Sequence, residues 1–218
     1  ADLDHPSIAR ILDGGTLPDG SSWMVMERID GPTIDRWCAD HQLGLADRVR
    51  LVLAAADGLA QAHARLVLHR DLKPSNILVD PMGQPRLIDF GIARRIGSHD
   101  AAAPELVEGL SVGPATDVYG LAQVLHELMT GQPAARRSGL PAGIALAVEG
   151  DTPTATNRPD LLPDVARRAR PALLNDVSAV LACALSSDPA ARYPTMDAFA
   201  GDLRRALAGH AVEARRHE

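Results

Sequence analysis

His69-Arg70-Asp71-Leu72-Lys73-Pro74-Ser75-Asn76 is the stretch on which the reading of this chain turns. It lies between a helical segment and the apolar run Ile77-Leu78-Val79, which reads as a short strand. Thirteen residues beyond Asn76 stands Asp89, followed by Phe90 and Gly91 and preceded by the apolar pair Leu87-Ile88. One irregular segment thus carries a carboxylate, an ammonium and a side-chain amide, and a second carboxylate follows at the end of the next hairpin.

Outward from that loop the pattern alternates between short strands and long helices. Upstream, Leu45, Val49, Val52, Leu53, Ala56, Leu59, Ala60 and His63 recur at three- and four-residue steps and predict a helix over 45–66. Gly58 inside it costs about 1 kcal/mol against Ala and signals close packing. Residues 1–31 read as β-rich: a strand Ile8–Leu12 ending at the turn Asp13-Gly14-Gly15, a turn at Pro18-Asp19-Gly20, and a strand Trp23–Met26, together an antiparallel hairpin. Gly31-Pro32 stops the extended chain, and Thr33 or Asp35 caps the short helix that follows. Downstream, strands Ile77–Asp80 and Pro85–Ile88 flank a Pro81-Met82-Gly83 turn. A helix over Thr116–Thr130, apolar on most faces and closed by Gly131, belongs in the middle of the domain. Leu173–Ser186 and Thr195–Ala208 read as two amphipathic helices. The expected class is α+β, a small β part followed by a helical part.

Composition narrows the function classes. With 218 residues and a 46% hydrophobic share the chain suits one domain, or one domain and part of another. Its net charge of −6 gives no electrostatic reason to expect nucleic-acid binding. The late arginines are interspersed with Asp and Glu and read as a solvated face. Cys38 and Cys183 form neither a metal spacing nor a disulfide framework, which suits a reducing cytoplasm. No apolar run reaches the ~18 residues of a membrane span.

The residue chemistry at the loop is specific. A lone Asp in a loop is usually a turn or cap residue. Asp71, however, stands two residues before Lys73 and five before Asn76. Asp71 can accept or orient a hydroxyl proton, and Lys73 can offset charge developing on a transferred phosphoryl group. Asn76 offers a neutral oxygen and Asp89 a charged one to Mg²⁺, a cation that takes few protein ligands beside phosphate oxygens. His69 reads either as a base or as a core residue beside the Phe90 ring, with packing favoured. Arg70 either pairs with Asp71 or anchors a phosphorylated segment.

On these motifs the chain resembles the eukaryotic-type serine/threonine protein kinases of bacteria. The resemblance runs from Leu3-Asp4-His5-Pro6-Ser7-Ile8, through Gly31-Pro32-Thr33-Ile34-Asp35, to Asp188-Pro189-Ala190-Ala191-Arg192-Tyr193. It implies a kinase-like fold: residues 1–31 as a remnant of the β-rich N-lobe with the hinge, 32–209 as the helical C-lobe, and 210–218 as the start of a C-terminal linker. It implies ATP and Mg²⁺ as cofactors, with Mn²⁺ as a substitute, a protein Ser/Thr substrate favoured by Lys73, and a C-terminal sensor or repeat region in the parent protein. Met26 becomes the gatekeeper, and Glu27 and Ile29 the hinge that meets adenine. Ile34, Ile77, Leu78 and Val79 become the adenine floor. Ala103-Pro104-Glu105 closes the activation segment, with Glu105 paired to Arg192, and Asp117 caps the backbone of the catalytic loop. A small-molecule phosphotransferase shares the Asp…Asn…Asp arrangement, but Lys73-Pro74, Ala103–Glu105 and Asp188–Tyr193 argue against it.

Two departures from the family pattern stand out. The chain shows no Gly-rich loop and no lysine and glutamate of the kind that orient ATP phosphates in the family. The intact Asp71, Lys73, Asn76 and Asp89 favour a piece of a longer protein over a natural remnant. From Asp89 to Glu105 the activation segment spans only 17 residues, with Ser98 its sole hydroxyl. The expectation is a truncated serine/threonine kinase domain; the alternative is a pseudokinase acting as a binding or scaffold module.

Overall fold

Among the described residues, two antiparallel hairpins and five α-helices, set in the chain order that the hydrophobic pattern predicts, make up the α+β architecture. The computed structural model describes residues 3–90, 103, 105, 112–132, 165 and 168–217. Strands β1 (Ile11–Thr16) and β2 (Ser22–Met26) form the first hairpin and β3 (Ile77–Val79) and β4 (Pro85–Leu87) the second. The helices are α1 (Ile34–Asp40), α2 (Leu45–Ala64), α3 (Pro114–Thr130), α4 (Pro171–Ala184) and α5 (Met196–Ala208).

Helices α3 and α5 begin and end where local chemistry dictates. Thr33 occupies the N-cap of α1 without a side-chain bond, and Asp35 lies in its first turn. Pro114 opens α3, where its missing N–H costs nothing, and Thr116 Oγ1 accepts from the Gly113 amide at 3.2 Å. Gly131 ends α3 in the left-handed region (φ +70°). The Thr195 hydroxyl accepts the Ala198 amide at the start of α5. In α3 every residue from Thr116 to His126 is buried, so it is the central helix, as its all-round apolarity predicts. α2 packs against α3 and α5, and α4 against α3 and α5. Gly58 lets α2 approach residues 5–8: a Cβ there would stand 3.2 Å from Ser7 Cβ and 3.3 Å from Ile8 Cγ1.

The first strand is displaced from its predicted place. β1 starts at Ile11 and runs through Asp13-Gly14-Gly15, where a turn is expected, with an irregularity between Ile11 and Asp13. The reason is burial. Ile8 and Ala9 are taken into the core beside β4: Ala9 N–H donates to the Leu87 carbonyl and Leu87 N–H to the Ser7 carbonyl, each at 2.8 Å. The β1–β2 hairpin stands outside that core and exposes Ile11, Leu12, Leu17, Trp23 and Val25. Its turn is the expected one: Asp19 Oδ1 accepts from the amide and hydroxyl of Ser21, and Gly20 has φ +84°.

Residues 210–217, set apart from the sequence as the start of a linker, are folded onto the helices. Glu213–His217 forms a 3-10 turn against α4, and Val212 and Ala214 are buried. Among the described residues no helix is long and apolar enough to cross a membrane.

Candidate active site

The 69–76 loop is seated on α3 by close packing and by one buried carboxylate. Leu72, buried, lies against Gly120: a Cβ at that glycine would come within 2.9 Å of Leu72 Cβ. One turn earlier, Asp117 has no exposed side-chain surface. Its Oδ2 accepts from the His69 amide and from His63 Nε2, and its Oδ1 from the Arg70 amide, all at 2.8 Å. Arg70 needs that hold, because its φ of +67° lies in the left-handed region and costs about 1–3 kcal/mol in a residue with a Cβ. The Arg70 side chain is exposed and makes no ion pair among the described residues, so of its two readings the pairing with Asp71 is not seen.

His69 packs, as the core reading of it expects. Its ring lies 4.7 Å from the Phe90 ring, centroid to centroid, tilted by 46°. Nε2 lies 2.9 Å from the Ile88 carbonyl, an acceptor, so this nitrogen carries the proton. Burial holds the imidazole below its ordinary pKa, against the pull of Asp117, so it is neutral at pH 7.

Asp71, Lys73 and Asn76 meet in one cluster. Lys73 Nζ donates to Asp71 Oδ2 at 2.8 Å. Asn76 Nδ2 donates to the Asp71 carbonyl at 2.8 Å and to Oδ2 at 3.1 Å. Both partners of the amide nitrogen are acceptors, so the amide oxygen of Asn76 is the group left for another ligand. Asp71 and Lys73 are partly exposed (45% and 34% of their side chains), where such a pair contributes about 0–1 kcal/mol. The pair therefore fixes the direction of the Asp71 carboxylate more than it stabilises the fold.

Asp89 is tied to this cluster through its neighbour. Ile88 N–H donates to the Asn76 carbonyl at 3.0 Å while the Ile88 carbonyl accepts from His69. The exposed Asp89 follows directly, with φ +58° and no ion pair among the described residues. The Asn76 oxygen and the Asp89 carboxylate could offer a cation a sparse oxygen donor set. No group of three or more His, Cys, Asp or Glu side chains among the described residues could cage a metal. Such a set suits Mg²⁺, which takes one or two carboxylates and fills the remaining positions with water and phosphate oxygens.

The predicted adenine contacts divide. Met26, half-buried, ends β2 opposite Ile11. Glu27 N–H donates to the Arg10 carbonyl, and Glu27 Oε1 accepts from the Arg10 amide, both at 2.9 Å, and also pairs with Arg86. The Arg10 amide, aided by Arg86, holds the Glu27 carboxyl below its ordinary pKa. The Ile29 amide makes no hydrogen bond among the described residues. Gly31 abuts the end of β3: a Cβ there would fall 1.8 Å from the Val79 carbonyl oxygen. The adenine-floor assignment needs correction. Ile34, Ile77 and Val79 are fully buried core residues, and only Leu78 on this strand retains surface. Strand side chains alternate between faces, so Leu78 faces away from its two neighbours.

Glu105 and Arg192 form a two-pronged ion pair at 2.8 and 3.0 Å, with side chains 2% and 0% exposed. Thr116 Oγ1 donates to the same carboxylate at 2.8 Å. Arg192 also donates to the Ser186, Ser187 and Ala115 carbonyls and lies over the Tyr119 ring, 4.5 Å from its centroid. Burial pushes the Glu105 carboxyl up, but Arg192 and Thr116 outweigh it and hold it below its ordinary value. Gly91 and Ser98 lie outside the described residues. The sequence reading misses His63, Arg86 and Thr116, whose partners stand 54, 59 and 11 residues away. His63 appears there only as one position of a helical stripe.

The sequence matches the family described as "Protein kinase domain" over residues 1–200. It is 31% identical to the serine/threonine-protein kinase PknB of Mycobacterium leprae over 98% of this chain and 35% of that protein. It is 31% identical to the serine/threonine-protein kinase PrkC of Bacillus subtilis over 94% of this chain and 32% of that protein. Against the serine/threonine-protein kinase PknK of Mycobacterium bovis the identity is 33%, over 92% of this chain and 18% of that protein. The chain therefore spans about a third of the length of PknB and PrkC.

Proposed function

The chain belongs to the protein kinase domain family, and on that premise we propose that it supplies the phosphoryl-transfer loop of a protein serine/threonine kinase, moving the γ-phosphate of ATP to a protein hydroxyl. The observation that carries the reading is the Asp71–Lys73–Asn76 cluster, with Asp89 joined to it through Ile88. Asp71, held by Lys73 and Asn76, orients the substrate hydroxyl and takes its proton as the oxygen attacks. Lys73 lies against Asp71 and offsets negative charge on the transferred group. Asn76 and Asp89 would hold Mg²⁺, which neutralises charge on the phosphate oxygens when bound.

At the hinge, the Glu27 carbonyl and the Ile29 amide would serve adenine as acceptor and donor, with Met26 beside it and Leu78 beneath. The Glu27 side chain, engaged by Arg10 and Arg86, keeps the hinge in register with β4. Glu105, through Arg192, fixes the end of the activation segment, and Arg70 is the cation placed to receive a phosphate on that segment. Dependence on ATP places the activity in the cytoplasm. The rival reading, a pseudokinase scaffold, draws on the short span between Asp89 and Glu105.

Asp71→Asn in the full-length gene product separates the two readings. Transfer of labelled phosphate to a generic basic protein is expected to fall by at least about a hundredfold, the lower end of general-base contributions. Undiminished transfer by Asp71→Asn refutes the catalytic role. No transfer by the unaltered protein favours the scaffold.

A further inference from the structure

Asp202 is the most heavily engaged buried carboxylate outside the loop. It stands on α5 with no exposed side-chain surface. Oδ1 accepts from the Glu213 amide at 2.8 Å and from Arg205 at 2.9 Å; Oδ2 accepts from the Tyr193 hydroxyl at 2.8 Å and the Ala214 amide at 2.9 Å. Two of these four donors belong to the segment that follows α5. That segment is held further by buried Val212, by Arg205 paired to Glu213 at 2.8 Å, and by Arg215 paired to Asp176 on α4 at 3.0 Å. A third donor, Tyr193, is buried edge-on to Phe199 and adjoins Arg192 in the chain.

We propose that residues 210–217 act as a strap whose seating on Asp202 is coupled, through Tyr193 and Arg192, to the Glu105 ion pair. Lifting the strap removes two amide donors from a buried carboxylate and uncovers Val212. Asp202 keeps only Tyr193 and Arg205, and a buried charge short of donors moves toward water. Tyr193 is bonded to that carboxylate, and its backbone neighbour carries the guanidinium that grips Glu105. Movement of one is therefore transmitted to the other. A displacement of the strap thereby reaches Glu105. Only the naming of that segment as an activation segment rests on the kinase reading; the coupling does not.

Hydrogen–deuterium exchange on this chain tests the coupling. Ala214→Pro removes one strap amide and is the mild perturbation; Val212→Asp unseats the strap. Either is expected to speed exchange about fivefold or more, the lower range of coupling between sites, in peptides containing Glu105 and Thr116. Exchange in α1, remote from the strap, is expected to stay unchanged. In a Tyr193→Phe background the strap variants should add little at Glu105. Acceleration confined to 196–217, equal acceleration in α1, or full acceleration despite Tyr193→Phe each overturns the proposal. None of these outcomes depends on phosphate transfer. A chain inactive with or without Asp71→Asn can still show the coupling, and an active one can lack it.

Discussion

Asp117→Asn isolates the seating of the loop from its chemistry. Asp117 presents two oxygens to three donors: His63 Nε2 and the amides of His69 and Arg70. Asparagine presents one oxygen and one NH₂ group. Keeping the oxygen where it serves His63 and His69 turns the NH₂ toward the Arg70 amide, donor against donor. A hydrogen bond to a charged group contributes about 1.5–3 kcal/mol, and a buried donor left without an acceptor costs about 1–3 kcal/mol. Relaxation of Arg70 from φ +67° returns part of this, at most about 1–3 kcal/mol. The expected net loss is about 2–3 kcal/mol, read from urea denaturation followed by far-UV circular dichroism. Hydrogen exchange should speed up at Arg70 first and least at α1. His63→Leu is the control: it deletes one donor but also the unpartnered Nδ1 of that ring, and should cost only about 1 kcal/mol. An unchanged urea midpoint for Asp117→Asn, or a loss with the Arg70 amide still protected, refutes the claim that this carboxylate seats the loop.

Three further outcomes follow from the same structure. Arg192→Met leaves Glu105 buried without its partner and is expected to cost about 3–5 kcal/mol, whereas Glu105→Leu combined with Arg192→Met should recover much of it; equal losses for the single and double variants would count against the ion pair. Ile34→Ala should lower stability by about 2–5 kcal/mol through a core cavity, while Leu78→Ala should weaken binding of a fluorescent ATP analogue with little loss of stability; the reverse pattern restores Ile34 to the adenine floor. The third outcome concerns acid. Burial holds His69 and His126 below their ordinary value of 6.5, so both are neutral in the folded state. Their contribution is complete above about pH 6.5 and is lost as pH falls from there toward their folded values. Glu105 and Asp202 are held below their ordinary values of 4.5 and 3.8, so theirs is present above those values and lost at lower pH still. A pH series of urea midpoints should therefore fall in two stages, and stability rising on acidification from pH 7 to 5 would contradict the burial of the two histidines.

What was legible in the sequence follows the range of the forces involved. Helices α2, α3, α4 and α5 were legible because their stripes are local, and α3 and α5 also carry capping residues at their ends. The loop was legible because its groups lie within eight residues and their chemistry is distinctive. The boundaries of β1 were not: Ile8 and Ile11 are equally apolar, and only their neighbours decide that the first is buried beside Leu87 and the second exposed. Ile34, Ile77 and Val79 were assigned to the site, with Leu78, on the family resemblance. The alternation of a three-residue strand sends two of the β3 side chains into the core and leaves Leu78 alone at the surface.

What the residues alone leave illegible has one physical reason; the pairing of Glu105 with Arg192 and the capping by Asp117 come only with the family resemblance. Three buried carboxylates, Asp117, Glu105 and Asp202, each gather donors from more than one segment of the chain. Asp117 joins the end of α2 and the loop to α3, Glu105 joins Thr116 to Arg192, and Asp202 joins Tyr193 to the strap. Hydrophobic periodicity places helices side by side but leaves loops free to settle in many ways. A buried carboxylate removes that freedom, because each unmet oxygen costs free energy in the interior and each donor must arrive from a fixed direction. In sequence such a residue is only an Asp or Glu near the start of a helix or within one. Its function becomes visible when its partners do. The loop that opened the reading keeps Asp71 and Lys73 partly at the surface, and it holds its shape through a residue that never reaches it.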